Sequence, residues 1–205
     1  MPKKVDHEER RQEISDALWR IASTRGLDGV SLREVAAEAG ISLGRLQHYF
    51  RSKDEMLLFA LRQISQLADR RIRERIEKAA ADLPEEPSPR FVLRESLAGM
   101  LPLDERSRIG QLVAAAYFGR AVHDERLSSE AQEGIPRLRE FFAGLLRRAA
   151  ERDELPAGIV AEDEAMILIG LVDGLTAYTL LNVHSPEEAL RLLDRHLERL
   201  FGTAG

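Results

Sequence analysis

The stretch GISLGRLQHYFRSKDEML, residues 40–57, is decisive for the fold because two helical patterns meet in it almost without a linker. The first is barely two turns long, and an isolated helix of that length is only marginally stable in water. Its apolar positions predict an inward face made of Leu46 with Tyr49 or Phe50. The opposite face carries hydrogen-bonding side chains, namely Arg45, Gln47 and His48. So short a helix with such an outer face indicates a binding role.

A second short helix is predicted directly before it, in VSLREVAAEAG, residues 30–40. Ser31 and Glu34 stand at the spacing of a capping box, and Gly40 suits the left-handed residue that ends a helix. Ser42 then begins the helix that follows. Two short helices joined by a tight turn predict a helix-turn-helix, whose second helix enters the DNA major groove.

The side chains on the outer face match the chemistry of base reading. Arg45 can donate two hydrogen bonds to guanine, Gln47 can pair with adenine, and Gly44 lets the groove wall come close. Lys53 lies in the first turn of the next helix, where a bound phosphate would offset the unfavourable helix dipole. Tyr49 can donate its hydroxyl to a neighbouring phosphate. The alternative is a solvated polar face on a small helical hairpin.

The run SLREVAAEAGISLGRLQHYFRSKDEML closely resembles the DNA-binding signature of the TetR family of bacterial transcriptional regulators. In that family a Ser or Thr opens the second helix, the recognition helix runs into a Tyr-Phe pair, and a Ser-Lys-acid sequence starts the fourth helix. The corresponding residues here are Ser31, Tyr49-Phe50 and Ser52-Lys53-Asp54, and the resemblance covers about residues 10–57. The DNA-contacting residues that we predict are Ser31, Arg33, Ser42, Leu43, Gly44, Arg45, Gln47, His48, Tyr49 and Lys53.

Two of these residues depart from the family pattern. Gln47 stands where many members have an aromatic residue, and Leu43 stands where many have a polar one. The operator sequence therefore does not carry over from a relative.

Helical patterns extend over the whole chain of 205 residues, which is 44% hydrophobic and 32% charged. Ser52 and Glu55 form a second capping box and begin a helix that runs to about residue 81. Further helices are predicted near 90–101, 106–123, 126–133, 135–152 (with Pro136 in its first turn), 162–183 and 186–201. The expected fold is all-α with about nine helices. We expect a three-helix DNA-binding domain over residues 1–55, and an effector-binding and dimerisation bundle over residues 56–205.

Two segments, LVDGLTAYTLL and LLDRHLERLF, resemble the C-terminal domain of the BetI-like branch of the family. This resemblance implies an all-helical domain that dimerises and encloses an effector pocket. The dimer residues that we predict are Gly170 and Gly174 on an almost entirely apolar helix, and Leu190, Leu193, Leu197 and Leu200 at helical spacing on the next. The alternative is that both helices close the core of one chain.

The predicted effector site uses polar groups embedded in apolar helices together with an apolar wall. Its candidates are Gln111, Tyr117, Asp173 and Tyr178, with Met100, Phe118 and Phe141. Core packing or a satisfied buried hydrogen bond is the alternative for each of them. Asp173 could equally make a polar contact across a dimer.

Composition excludes several other classes. The chain has no cysteine, which excludes disulfides, thiolate metal sites and a cysteine nucleophile, and agrees with a reducing cytoplasm. Its start lacks the apolar region of a secretory signal, and no apolar run approaches the roughly 20 residues of a membrane span. The five histidines form no metal-binding spacing, and no phosphate-binding, dinucleotide-binding or nucleophile-elbow motif is present. We therefore expect no enzyme activity, no cofactor, no metal and no membrane partner.

The net charge of −5 does not by itself favour DNA, but residues 41–53 contain three basic side chains and no acid. The favoured interpretation is a cytoplasmic repressor that binds a double-stranded, palindromic operator as a homodimer. A small-molecule effector, whose identity the motifs do not specify, would release it by moving the two reading helices away from a separation of about 34–36 Å. The alternative is a helical dimer that binds small molecules and has no DNA role.

Overall fold

The computed structural model describes residues 2–25, 30–81 and 86–202, and in these ranges the chain forms nine α-helices and no strand. This confirms the all-α fold. The helices are α1 (Pro2–Arg25), α2 (Leu32–Glu38), α3 (Leu43–Tyr49), α4 (Lys53–Ala81), α5 (Pro89–Gly99), α6 (Glu105–Ala121), α7 (Glu125–Glu151), α8 (Ala161–Leu180) and α9 (Pro186–Phe201). Gly26, where we expect the first helix to end, lies outside the described residues.

Serine side chains cap the N-termini of α2 and α4, the helices on either side of α3. The Ser31 hydroxyl accepts the Glu34 N–H, and the Glu34 carboxylate accepts the Ser31 N–H in return, which completes the predicted capping box. The Ser52 hydroxyl accepts the Glu55 N–H at 3.1 Å. The Glu55 carboxylate reaches one residue further back than in a standard capping box and accepts the N–H of Arg51 at 2.8 Å.

The chain packs as two units, and the first comprises Met1–Ser65 with Ile109–Ser128. Its core joins α1, α2, α3 and the first turns of α4 with Val113 from α6. The buried side chains are Ile14, Ala17, Leu18, Ile21, Val30, Val35, Ala36, Leu46, Phe50, Met56, Leu57 and Ala60. Since the apolar stripe of α1 and the Leu46 and Phe50 positions of α3 lie in this core, the polar face of α3 is turned outward.

The second unit comprises Gln66–Arg108 with Ser129–Gly205, and α5, α8 and α9 pack against one another in it. Ile72 of α4 lies so close to Gly99 of α5 that a Cβ built on the glycine would be 2.6 Å from the isoleucine Cδ1 atom. A larger residue at this position would require the Ile72 side chain to move, which glycine avoids. The predicted boundary after residue 55 separates a DNA-binding domain from an effector-binding domain. It stays a prediction, because the two units described here are defined by packing and not by function.

The segment after residue 124 corrects the sequence prediction. We expect helices near 126–133 and 135–152 with Pro136 opening the second, but α7 is continuous and Pro136 lies inside it. Proline in a helix interior costs about 3 kcal/mol, since it lacks the N–H that closes the preceding turn. Arg137 Nε donates to the Glu133 carbonyl at 3.1 Å in this turn. Packing of α7 side chains such as Phe142 and Leu146 in the core of the second unit offsets the cost.

The leucine stripe of α9 also requires a correction. Leu193, Leu197 and Leu200 are buried against α5 and α8 of the same chain, and Leu190 is half-buried at the edge of that core. Side chains already covered by their own chain are not available to a second one. Leu193, Leu197 and Leu200 therefore close the core of one chain, which was the alternative for them, and an interface role for the half-buried Leu190 stays a prediction.

None of the described helices has the length and apolar character that crossing a membrane requires.

Candidate nucleic-acid interface and associated surfaces

The turn between α2 and α3 sets the direction of the reading helix. Gly40 adopts a left-handed conformation with φ 67°, and the Ile41 N–H donates back to the Ala36 carbonyl at 2.9 Å. Any side chain at residue 40 would be strained in this conformation. The Ser42 hydroxyl then accepts the N–H of Arg45 at 3.2 Å and begins α3. These bonds fix α3 at both the turn and its first residues.

The outer face of α3 lies on the surface of the first unit as the sequence predicts. Gly44, Arg45, Gln47 and His48 are exposed, and Leu43 is half-buried. A Cβ added to Gly44 would meet nothing within 4 Å, so the space beside this turn is open. The exposed groups include the guanidinium and the amide that can pair with base edges in a major groove.

The predicted residues at the start of α2 and α3 have structural as well as candidate binding roles. Ser31 and Arg33 are exposed, and so is Ser42. The two serine hydroxyls already accept backbone N–H groups in their caps. Of the three, Arg33 is the one whose side chain can contribute positive charge to a DNA backbone.

The first turn of α4 presents a lysine beside two carboxylates that are held by other helices. Lys53 is its first residue and is half-buried. Asp54 pairs with Arg120 of α6, and Glu55 pairs with Arg11 of α1 at 3.6 Å. Because each acidic side chain has a cationic partner, its charge beside Lys53 is compensated. The N–H groups of a helix start and this lysine together favour an anion such as a phosphate.

An aromatic cluster adds a residue that the sequence analysis did not single out. The ring of Tyr49 contacts two histidine rings, with centroid distances of 4.9 Å to His7 and 5.4 Å to His48, and the two histidine centroids are 6.2 Å apart. The cluster places the α1 side chain of His7 beside the end of the reading helix. His7 and Tyr49 are 42 positions apart along the chain, so no local sequence pattern indicates this contact.

The predicted effector residues are distributed over both units. Gln111, Tyr117 and Phe118 belong to the first unit, and Met100, Phe141, Asp173 and Tyr178 belong to the second. Neither unit alone gathers them, and the effector site stays a prediction.

Tyr117 has a clear structural role in the first unit. It is buried with Ala121 and Leu127, and its hydroxyl donates to the Leu127 carbonyl. This agrees with the alternative of a satisfied buried hydrogen bond. Phe118 is 44% exposed, and Gln111 is half-buried.

In the second unit, Met100 is half-buried and its carbonyl accepts the Thr176 hydroxyl at 3.3 Å. Phe141 is 48% exposed and lies against the ring of Phe142, with 5.4 Å between centroids. Tyr178 is exposed, and its ring lies 5.8 Å from that of His184.

Helix α8 exposes an apolar face around the two predicted interface glycines. A Cβ added to Gly170 or Gly174 would meet nothing within 4 Å, so the packing of this chain does not require glycine at either position. The large exposed apolar side chains of the helix and its C-cap residue are Met166, Ile167, Tyr178 and Leu181. Met166, Ile167 and Leu181 are not among the interface residues predicted from sequence. The sequence feature that indicates their exposure is that α8 is apolar on almost all sides, more than one core can cover.

Asp173 is exposed at the edge of the α8 face. Partial desolvation by the neighbouring side chains raises the pKa of its carboxyl above the usual range. Burying this carboxyl under another surface costs less free energy when it is protonated, because the neutral form is less strongly hydrated.

Two family profiles match the chain. Residues 14–60 match the family described as bacterial regulatory proteins, tetR family, and residues 87–202 match the family described as BetI-type transcriptional repressor, C-terminal.

Individual relatives cover nearly the full length. The HTH-type transcriptional regulator PksA of Bacillus subtilis (strain 168) is 33% identical over 205 residues, which covers 98% of this chain and 94% of PksA. The HTH-type transcriptional regulator BetI of Burkholderia mallei (strain NCTC 10229) is 29% identical over 204 residues, 98% of this chain and 97% of BetI. The crystal structure of a transcriptional regulator from Rhodococcus sp. RHA1 superposes with a TM-score of 0.74 at 28% identity, covering 93% of this chain and 95% of that one.

Proposed function

This chain belongs to the TetR family of bacterial transcriptional regulators, which are DNA-binding proteins and not enzymes, and we propose that it is a ligand-responsive repressor. It binds a palindromic operator as a homodimer in the cytoplasm, and a small-molecule effector releases it. The observation that carries the proposal is the outward polar face of α3 beside the lysine that starts α4.

Base reading is assigned to the exposed face of α3. Arg45 pairs with a guanine and Gln47 with an adenine, since each can form two hydrogen bonds to the major-groove edge of that base. Gly44 and Leu43 lie against the groove, and His48 lies at its wall. The burial of Leu46 and Phe50 supports this assignment because it holds the opposite face of the same helix in the core.

Phosphate contacts are assigned to the residues that frame α3. Lys53 and the backbone N–H groups at the start of α4 bind one phosphate, and the Tyr49 hydroxyl and Arg33 bind neighbouring ones. These contacts set the register of the reading helix on the duplex and carry no base information.

Dimerisation is assigned to the exposed apolar face of α8. Gly170 and Gly174 let a second helix approach closely, and Met166, Ile167 and Leu181 flank them. An exposed apolar patch of this kind indicates an interaction site. The occupant that we propose is the same face of a second copy, because palindromic operators require two identical reading helices at fixed spacing.

Repression with release by an effector is supported by the match of residues 87–202 to the family described as BetI-type transcriptional repressor. In one conformation of the dimer the two reading helices have the spacing that the operator requires, and in another they do not. An effector that binds the second conformation more tightly shifts the population away from the DNA-binding conformation. The candidate effector residues stay Gln111 and Phe118 in the first unit and Met100, Phe141, Asp173 and Tyr178 in the second, without the buried Tyr117.

In vitro selection from random-sequence duplexes tests the proposal. A dimeric repressor should enrich a near-palindrome whose half-sites lie about one helical turn apart. A gel shift with the enriched site then gives the stoichiometry of the complex. Enrichment of no sequence would favour a helical dimer that binds small molecules without a DNA role.

A further inference from the structure

Arg11 of α1 contacts the junction at which the reading helix ends and α4 begins. Phe50 caps the end of α3, and Phe59 lies in the second turn of α4. The guanidinium carbon of Arg11 lies 4.7 Å from the ring centroid of Phe50 and 4.3 Å from that of Phe59. The two ring centroids are 5.4 Å apart. A single cation therefore rests on aromatic rings from both sides of the junction, a geometry in which cation–π attraction operates.

The same guanidinium reaches the backbone of the junction through Glu55. Arg11 Nη2 lies 3.6 Å from Glu55 Oε1, and Glu55 Oε2 accepts the N–H of Arg51 at 2.8 Å. Arg51 belongs to the short connection between α3 and α4. The carboxylate thus links the α1 cation to the segment that determines how the two helices are joined.

Arginine at this position has a cost that an apolar residue would avoid. The Nε atom of Arg11 is buried and makes no hydrogen bond to the part of the chain that the structure describes. A buried donor without an acceptor is unfavourable, and a methionine would fill similar space without it. The contacts with Glu55 and the two rings are what the guanidinium provides and methionine does not.

We propose that Arg11 is a positioning residue for sequence-specific DNA binding. It fixes the orientation of α3 relative to the start of α4, so that the base contacts of Arg45 and Gln47 and the phosphate contact of Lys53 form together. Arg11 acts through Phe50 and Glu55 and does not touch the DNA. The inference rests on the proposed DNA-reading role of α3.

The test compares Arg11→Met with the matched control Arg10→Met. Arg10 lies one position earlier and pairs with Glu13 on its own helix, so its removal changes the charge of α1 equally without reaching the junction. Affinities for the selected operator and for a random duplex are measured well below the melting temperature of each variant. Arg11→Met should lose about tenfold in operator affinity. Its affinity for the random duplex should stay within about twofold of the control, because non-specific binding depends on charge.

A double-mutant cycle with Glu55→Gln separates positioning from general stability. The glutamine still offers an oxygen to the Arg51 N–H but removes the ion pair. If Arg11 acts through Glu55, Glu55→Gln alone should also weaken operator binding, and it should add little to Arg11→Met. Glu55→Gln carries the test by itself if Arg11→Met does not fold.

Three results would overturn parts of this assignment in distinguishable ways. Equal operator affinities for Arg11→Met and Arg10→Met would contradict the inference while leaving the DNA-reading role intact. A lower melting temperature with unchanged affinity of the folded protein would make Arg11 a stability residue only. If the parent protein itself selects no site, the proposed function fails and the inference fails with it.

Discussion

Arg45 illustrates how a single side chain is prepared for reading a base. Its backbone N–H is held by the Ser42 hydroxyl, while its side chain is exposed on the outer face of α3. The cap fixes the position of the Cα atom, so only the side-chain torsions have to be ordered when DNA binds. Preorganisation of this kind lowers the entropic cost of binding.

We expect Arg45→Ala to relax specificity at one position of each half-site. The loss should be about 1–3 kcal/mol per contact, because a bidentate pair with guanine cannot be replaced by alanine. Repeating the in vitro selection with the variant measures the change in base preference. Arg137→Ala, which removes an exposed arginine of α7, serves as the control. Identical preferences and affinities for Arg45→Ala and the parent would remove Arg45 from base reading.

Lys53→Ala should weaken binding to all sequences alike. A phosphate contact carries no base information, so the selected site should not change. The slope of log affinity against log salt concentration should fall by about one per subunit, because one fewer counterion is released. Binding titrations at several salt concentrations provide this slope. An altered base preference with an unchanged slope would contradict a phosphate role for Lys53.

At the scale of helices, the serine caps explain why much of the reading unit could be predicted from sequence. Ser31, Ser42 and Ser52 act through backbone N–H groups three residues away, so the signal and its effect lie in the same short stretch. The inward positions of α3 follow from the same local periodicity. Interactions with a sequence range of three or four residues are those that a pattern can reveal.

Two errors of prediction have a common physical origin. Proline is locally favourable in the first turn of a helix, yet Pro136 lies in the interior of α7. Side chains of α7 pack against residues from distant parts of the chain, and this packing keeps the helix continuous. The leucine stripe of α9 is apolar whether its own chain or a second chain covers it. A periodic pattern identifies a face that must be buried and does not identify what buries it. Likewise, Arg11 meets Phe59 across a separation that no local pattern records.

Gly170→Glu distinguishes the α8 face from the core. The new Cβ meets open space, and replacing glycine in a helix favours folding by about 0.5–1 kcal/mol. The same carboxylate would be buried unpaired if α8 meets its copy, which is strongly unfavourable. We expect a folded monomer with weakened operator binding, observed by sedimentation velocity and gel shift. Ala150→Glu on an exposed position of α7 is the control. A fully dimeric Gly170→Glu variant would place the interface elsewhere.

Leu193→Ala should behave as a core substitution. Leu193 has no exposed surface, and removing a buried leucine costs about 2–5 kcal/mol of unfolding free energy. Denaturant unfolding measures the loss. Val122→Ala, at a position 78% exposed, should cost less than about 0.5 kcal/mol. A small effect at Leu193 would mean that α9 does not close the core of its own chain.

For the molecule as a whole, Asp173 connects stability with pH. The raised pKa means that the folded chain keeps this proton to a higher pH than the unfolded chain does. Stability from this group is therefore fully present below the ordinary aspartate pKa and is lost as pH rises through the raised value. A second copy packed against the α8 face would remove more water from the Asp173 carboxyl and would raise its pKa further.

We expect Asp173→Asn to stabilise the protein at pH 7. The gain should be below about 1 kcal/mol because the group keeps contact with solvent. At pH 3, where the aspartate is protonated in both states, the difference should be close to zero. Unfolding curves at both pH values measure it. Asp163→Asn, in the first turn of the same helix, should instead lose stability at pH 7, since a negative charge is favourable there. If both variants changed the unfolding free energy at pH 7 in the same direction, desolvation of the Asp173 carboxyl would not be the cause.

The discontinuous first unit has a consequence for biosynthesis. Its packing is complete only with Ile109–Ser128, although α1 to α3 are finished more than fifty residues earlier. At a translation rate of about 5–20 residues per second, the growing chain waits roughly 3–13 s between residue 65 and residue 128. During that interval the apolar side chains that pack against Val113 and Tyr117 in the finished fold lack these partners. We therefore expect the first unit to reach its full stability only after residue 128 has been synthesised, and transiently exposed apolar surface of this kind is what chaperones bind.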